Sequence, residues 1–165
     1  MQEEIFKNLI EILGKEIKLY TEMRNLYTKK REVLVSNNIL DLSKIDAEII
    51  ENYESIKKID VLRLDAIKLL NEDAPSMSAL IEIAQKKCPK YVLKLTDQQN
   101  QLNNLSSSIS LLNITNMKLI KHGMVLTDKK LNSLIECCAP KGSSYSDKGV
   151  ESNKAIEVST IIANA

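Results

Sequence analysis

His122 is the one histidine in this 165-residue sequence, so acid–base chemistry near neutrality would have to be built on it. It stands beside Gly123, with no clustered carboxylates and no hydroxyl nucleophile in a context that suggests a base-activated site. One imidazole cannot hold a metal unaided, and His122 reads as a surface or interface residue, with Gly123 permitting close helix approach or a local bend. The three cysteines, Cys88, Cys137 and Cys138, are odd in number. The adjacent pair lacks the two-residue spacer of dithiol motifs, so disulfide scaffolding and tetrahedral zinc are both poorly supported. Phosphate cradles need closely spaced glycines before a helix, whereas Gly14, Gly123, Gly142 and Gly149 are scattered. The expectation is a protein that is not an enzyme, with no catalytic residue, no metal ligand and no cofactor.

Composition says what would have to position any site. Gly and Pro are scarce, Trp is absent and aromatics make up 4%, a mixture that favours helices and bundles. The formal net charge is +1, and no run sets basic residues beside aromatic platforms, which argues against nucleic acid. Met1 to Gly14 lacks the charged-then-apolar order of a signal peptide. No segment approaches the ~20 consecutive apolar residues of a membrane span, so no direct membrane insertion and a cytoplasmic location are expected.

Apolar spacings of three and four run through residues 2 to 35, at Ile5, Leu9 and Ile12 and at Phe6, Ile10, Leu13, Ile17, Tyr20 and Tyr27, which places one broad face on a first long helix. Ser36-Asn37-Asn38 predicts a short turn, with Asp41 as the cap of the next helix. Residues 41 to 72 resume the period through Leu42, Ile45, Ile49, Tyr53, Ile56, Ile59 and Leu62, ending near Leu69 and Leu70, which predicts an antiparallel hairpin. After a break at Asn71 to Pro75, Ser76 or Ser78 can cap a short helix holding Leu80, Ile81 and Ile83. That helix must stop near Cys88 because Pro89 restricts the residue before it. Pro89 suits the first turn of a third long helix. From Leu95 onward this helix carries a heptad seam: Leu95, Leu102, Ile109 and Asn116 on one row, and Gln98, Leu105, Leu112, Leu119 and Leu126 on the other. Gln98 and Asn116 interrupt the seam, either as register-setting polar residues or at a wet edge. The fold class that follows is all-α: an elongated antiparallel helical bundle with coiled-coil-like packing, three long helices plus one short one. Residues 1–138 form the bundle, and 139–165, rich in Ser and Gly, form a flexible C-terminal tail.

A helix from Pro89 to Cys138 would be ~75 Å long against ~50 Å for each of the first two, so its end should project beyond the hairpin. Leu119, Ile120, Met124, Leu126, Leu131, Leu134 and Ile135 lie on that overhang. Ile120, Met124, Leu131 and Ile135 share one stripe while Leu119 and Leu126 continue the seam, so an isolated bundle would leave contiguous apolar surface in water, the mark of an interface. The natural occupant is a partner helix in an apolar groove. The alternative is a structural coiled-coil subunit that self-associates, as a homodimer, through the same stripe.

Three stretches carry a family resemblance. KKREVLVSNNILDLSKI closes the first helix and opens the second, SMSALIEIAQKKCPK places a Ser-capped short helix before the proline of the long C-terminal helix, and Tyr145 is followed four residues later by Gly149. The order of elements over about residues 1 to 149 resembles the FlgN family of flagellar type III export chaperones. That resemblance implies a cytosolic chaperone that binds the C-terminal segments of hook-filament junction proteins and delivers them to the membrane component of the export gate. It implies a cargo surface on the C-terminal helix, which falls on the same Leu119 to Ile135 region. It also implies export-gate docking through Tyr145.

Overall fold

The computed structural model describes residues 2–70 and 76–138. The chain divides into two compact units, Met1–Thr127 and Asp128–Ala165. The described residues form four α-helices, α1 (Gln2–Ser36), α2 (Ile39–Lys68), α3 (Met77–Lys87) and α4 (Val92–Cys138), with a 3-10 turn at Pro89–Tyr91, and no strand is found among them. The all-α expectation holds.

In the first unit, α1 buries Phe6, Leu9, Ile12, Leu13, Glu16 and Met23, a single helical face. It ends where Asn37 adopts a left-handed φ of 57°, a conformation that asparagine tolerates better than most residues. The Asn38 N–H then donates to the Val33 carbonyl at 3.2 Å, so the turn is a Schellman motif. The start of α2 differs from expectation. Asn38, not Asp41, holds the N-cap position, and its side chain makes no capping bond. Asp41 falls in the first turn, where its negative charge suits the helix dipole, and it accepts a hydrogen bond from the Asn38 side-chain amide.

Three polar links show that α1 and α2 run antiparallel: Lys30 to Asp46 at 2.7 Å, Asn52 to Glu22 at 3.3 Å and Arg63 to Glu16 at 3.3 Å. The buried face of α2 includes Ile45, Asn52, Ile56, Ala66 and Ile67. Tyr53, Leu62 and Leu69, expected on that face, are more than half exposed. The predicted break at 71 to 75 lies outside the described residues. Ser76 is the N-cap of α3, its hydroxyl accepting from the Ala79 N–H at 3.2 Å, and the helix stops at Lys87 before Cys88 and Pro89 as expected.

The dry core gathers Phe6, Leu9, Ile12 and Leu13 of α1, Ala66, Ile67 and Leu70 from the end of the hairpin, Leu80, Ile83 and Ala84 of α3, and Leu95 of α4. Phe6 stacks on Tyr91 at a ring separation of 6.3 Å. The core thus lies where α1 begins. Beyond it, α4 runs parallel to α1: Gln98 donates from Nε2 to the Ile10 carbonyl and Asn116 donates from Nδ2 to the Tyr27 carbonyl, both at 2.9 Å. Both amides are buried, so they are register-setting members of the seam and not a wet edge. Their oxygens, Gln98 Oε1 and Asn116 Oδ1, have no hydrogen-bond partner.

Candidate protein-binding surface

Helix α4 has the composition to run long: between Pro89 and Cys138 it contains no proline and one glycine. It is α-helical through Gly123. Thr115 and Thr127 fold their hydroxyls back onto the Leu111 and Gly123 carbonyls, at 2.9 and 3.0 Å, and so interrupt nothing. Within the first unit its inward face is Leu95, Gln98, Leu105 and Asn116, flanked by the half-buried Leu102, Ile109, Leu112 and Leu119. From Ile120 to Thr127 no residue is buried or half-buried.

The seam therefore stops short of the apolar residues. In the first unit, of the residues singled out from sequence, Leu119 is half-buried, while Ile120, Met124 and Leu126 stand 36%, 64% and 45% exposed. In the second unit Leu131, Leu134 and Ile135 are exposed as well, as is every described residue from Asp128 to Cys138. At 100° per residue Ile120 and Met124 lie ~40° apart in the first unit, and Leu131 and Ile135 ~40° apart in the second. Tyr145 lies outside the described residues.

Leu111, Ile114 and Met117 are also exposed and were not singled out from sequence. They fall off the heptad rows, and their steps of three were the available signal. A second exposed set lies on α2, where Ile50, Tyr53, Val61 and Leu64 share the side facing away from α1. Lys57 spans it, its ammonium 4.6 Å from the Tyr53 ring centroid and 2.9 Å from a Glu54 carboxylate oxygen.

Leu19, Glu22, Lys29, Glu48, Glu51 and Asn52 line an open groove of about 400 Å³ between α1 and α2. Among the described residues no group of three or more His, Cys, Asp or Glu could hold a metal. His122 is exposed, Cys88 is half-buried and free, and Cys137 and Cys138 are exposed and free. Among the described residues the one buried carboxylate, Glu16, has its pKa raised chiefly by burial, with Arg63 opposing and Asp60 reinforcing the shift. Among the described residues no helix is long and apolar enough to cross a membrane.

Exposed apolar side chains on a rigid helix can bind another polypeptide. Burying a leucine fully is worth ~1.5–3 kcal/mol, so covering half-exposed ones gives on the order of 1 kcal/mol each. Comparison with family models matches residues 1–153 to the FlgN protein family. Comparisons with curated proteins and with solved structures gave no match.

Proposed function

The chain belongs to the FlgN family of flagellar export chaperones, and we propose from that premise that α4 holds the C-terminal segments of hook-filament junction proteins in the cytoplasm, unassembled and soluble, until export. The observation that carries this reading is the exposure of Ile120, Met124 and Leu126 on α4, joined along the same helix by Leu131, Leu134 and Ile135. Six such side chains, each returning on the order of 1 kcal/mol when covered, can offset the ~2–5 kcal/mol that ordering a disordered segment costs. A segment that folds into a helix on this surface buries its own apolar face at the same time. Delivery to the membrane component of the export gate is assigned to Tyr145, in a tail over 139–165 that follows the bundle of residues 1–138.

The test is a titration of the full chain with C-terminal segments of junction proteins, followed by circular dichroism. Saturable binding with a gain of helix is expected. Leu126→Asp or Leu131→Asp should abolish it without altering the melting temperature, since both side chains are already exposed. In the same titration Tyr145→Ala should leave client affinity intact and lower recovery of the complex on the gate protein. Unchanged affinity in both Asp variants, with the bundle folded, would remove α4 as the client surface. Light scattering separates this reading from self-association, because a stable homodimer that buries the stripe leaves no room for a client.

A further inference from the structure

A second line of residues runs along the back of α4. In the seam that faces α1, Leu105 and Asn116 are buried and Leu102, Ile109 and Leu112 half-buried. Moving each of these five positions on by nine residues, about two and a half turns, reaches the opposite side of the helix. The residues found there are Leu111, Ile114, Lys118, Lys121 and Val125, and all five are exposed. They repeat the alternating steps of three and four that suit coiled-coil packing, on the side turned away from α1. The same shift from Leu95 and Gln98 gives Asn104 and Ser107, so the line is polar until Leu111 and changes character there. Packing within the first unit does not account for the change, because the apolar residues stay exposed.

The charge of this line has one sign. No Asp or Glu occurs between Asp97 and Asp128, so neither Lys118 nor Lys121 has an acidic residue three or four positions away. Neither forms an ion pair with a described residue. Each ammonium has the other as its helix neighbour, which is mildly unfavourable in the free chain. A line one residue wide at heptad spacing fits a single helix. Along it the order is apolar, basic, apolar, with the lysines in the middle of the line and not at its flanks. A helix lying in a membrane interface keeps its lysines on the polar face, whereas here they would be carried inward with Ile114 and Val125. A second copy pairing through the same line, parallel or antiparallel, would bring lysine toward lysine. Acidic side chains on a helix of another protein would match the two lysines, with apolar residues on either side to cover the rest.

We propose that the outer line of α4, from Leu111 to Val125, docks an acidic amphipathic helix of a second protein, with carboxylates over Lys118 and Lys121 and apolar side chains over Leu111, Ile114 and Val125. The inference goes beyond the chaperone reading and does not rest on it. At 100° per residue the midline of this line lies ~120° around α4 from that of Ile120 and Met124 and ~100° from Leu126, so both surfaces can be occupied together.

The probe is a synthetic amphipathic helix with leucines facing Leu111, Ile114 and Val125 and glutamates facing Lys118 and Lys121. It is made in parallel and in antiparallel order, and its affinity for the full chain is measured by fluorescence anisotropy. Saturable binding of one order is expected, weakened severalfold by high salt and about tenfold when its glutamates become glutamines. Lys118→Glu with Lys121→Glu should abolish binding of the glutamate probe and create binding of a probe with lysines at those positions, a reversal that misfolding cannot produce. Leu111→Gln with Ile114→Gln should weaken binding about tenfold at an unchanged melting temperature, since both side chains are exposed. No saturable binding of either order, or equal affinity for the glutamate and glutamine probes, overturns the inference. So does a homodimer that Leu111→Gln with Ile114→Gln dissolves, or tighter binding to phosphatidylserine vesicles than to the probe. Each of these failures leaves the client surface standing if Leu126→Asp still abolishes capture of the junction-protein segment.

Discussion

Glu16 is a carboxylate buried in the α1–α2 contact. Burial raises its pKa above the ordinary carboxylate value of 4.5, although the Arg63 guanidinium lies 3.3 Å away. A carboxyl whose folded pKa is raised favours the folded state while protonated, and that contribution disappears as pH rises from about 4.5 through the raised value. Glu16→Gln should therefore gain stability relative to the parent as pH rises from 4 to 7, measured by urea denaturation at each pH. A difference that stays flat or reverses would show that the Arg63 attraction outweighs burial. Residue types alone gave no hint of this, since Glu16 sits in sequence among solvated Glu and Lys. Its burial comes from the α2 face laid against it. Gln98 and Asn116 were visible as breaks in the seam, but the carbonyls they reach belong to α1, and sequence spacing does not reveal cross-helix hydrogen bonds.

At the level of the element, helix existence and order were legible because the apolar period is strong in α1 and in the first half of α4, and because Ser76 and Pro89 punctuate the chain with defined chemistry. The cap of α2 was misjudged by three residues. Asp41 looks like a cap, yet the left-handed Asn37 and its Schellman bond already turn the chain, which leaves Asp41 one turn inside. The α2 face was harder still, because Tyr53 and Leu62 keep an apolar rhythm on a helix that packs along one narrow side. The turn itself offers a measurement. Asn37→Gly removes the strain of φ 57° and should raise the melting temperature, whereas Asn37→Val should lower stability by ~1–2 kcal/mol. Equal melting temperatures for the two variants would contradict a left-handed residue at this position.

Across the first unit, packing is graded: the dry core lies where α1 begins, and Asn116 is the one buried residue of α4 beyond Leu105. Amide exchange should follow that gradient, slowest at Phe6 to Leu13 and Leu80 to Ala84 and fastest in α4 beyond Leu119, with protection there rising when a client segment is bound. Uniform protection along α4 in the free protein would rule the gradient out. That the far part of α4 carries exposed apolar side chains was legible in outline, because an apolar run longer than the first two helices is a matter of counting turns. Which of its side chains are half-buried was not, since that depends on where α1 stops packing against α4.

About five helical turns separate Gln98 from Asn116, and their acceptors Ile10 and Tyr27 are spaced almost equally along α1. The two amides behave like pegs in matched holes. Residues between them can be exchanged freely on the solvent side, but inserting or deleting a single one rotates the far peg by ~100° and withdraws it from its hole. This stretch of the chain is therefore tolerant of composition and intolerant of length.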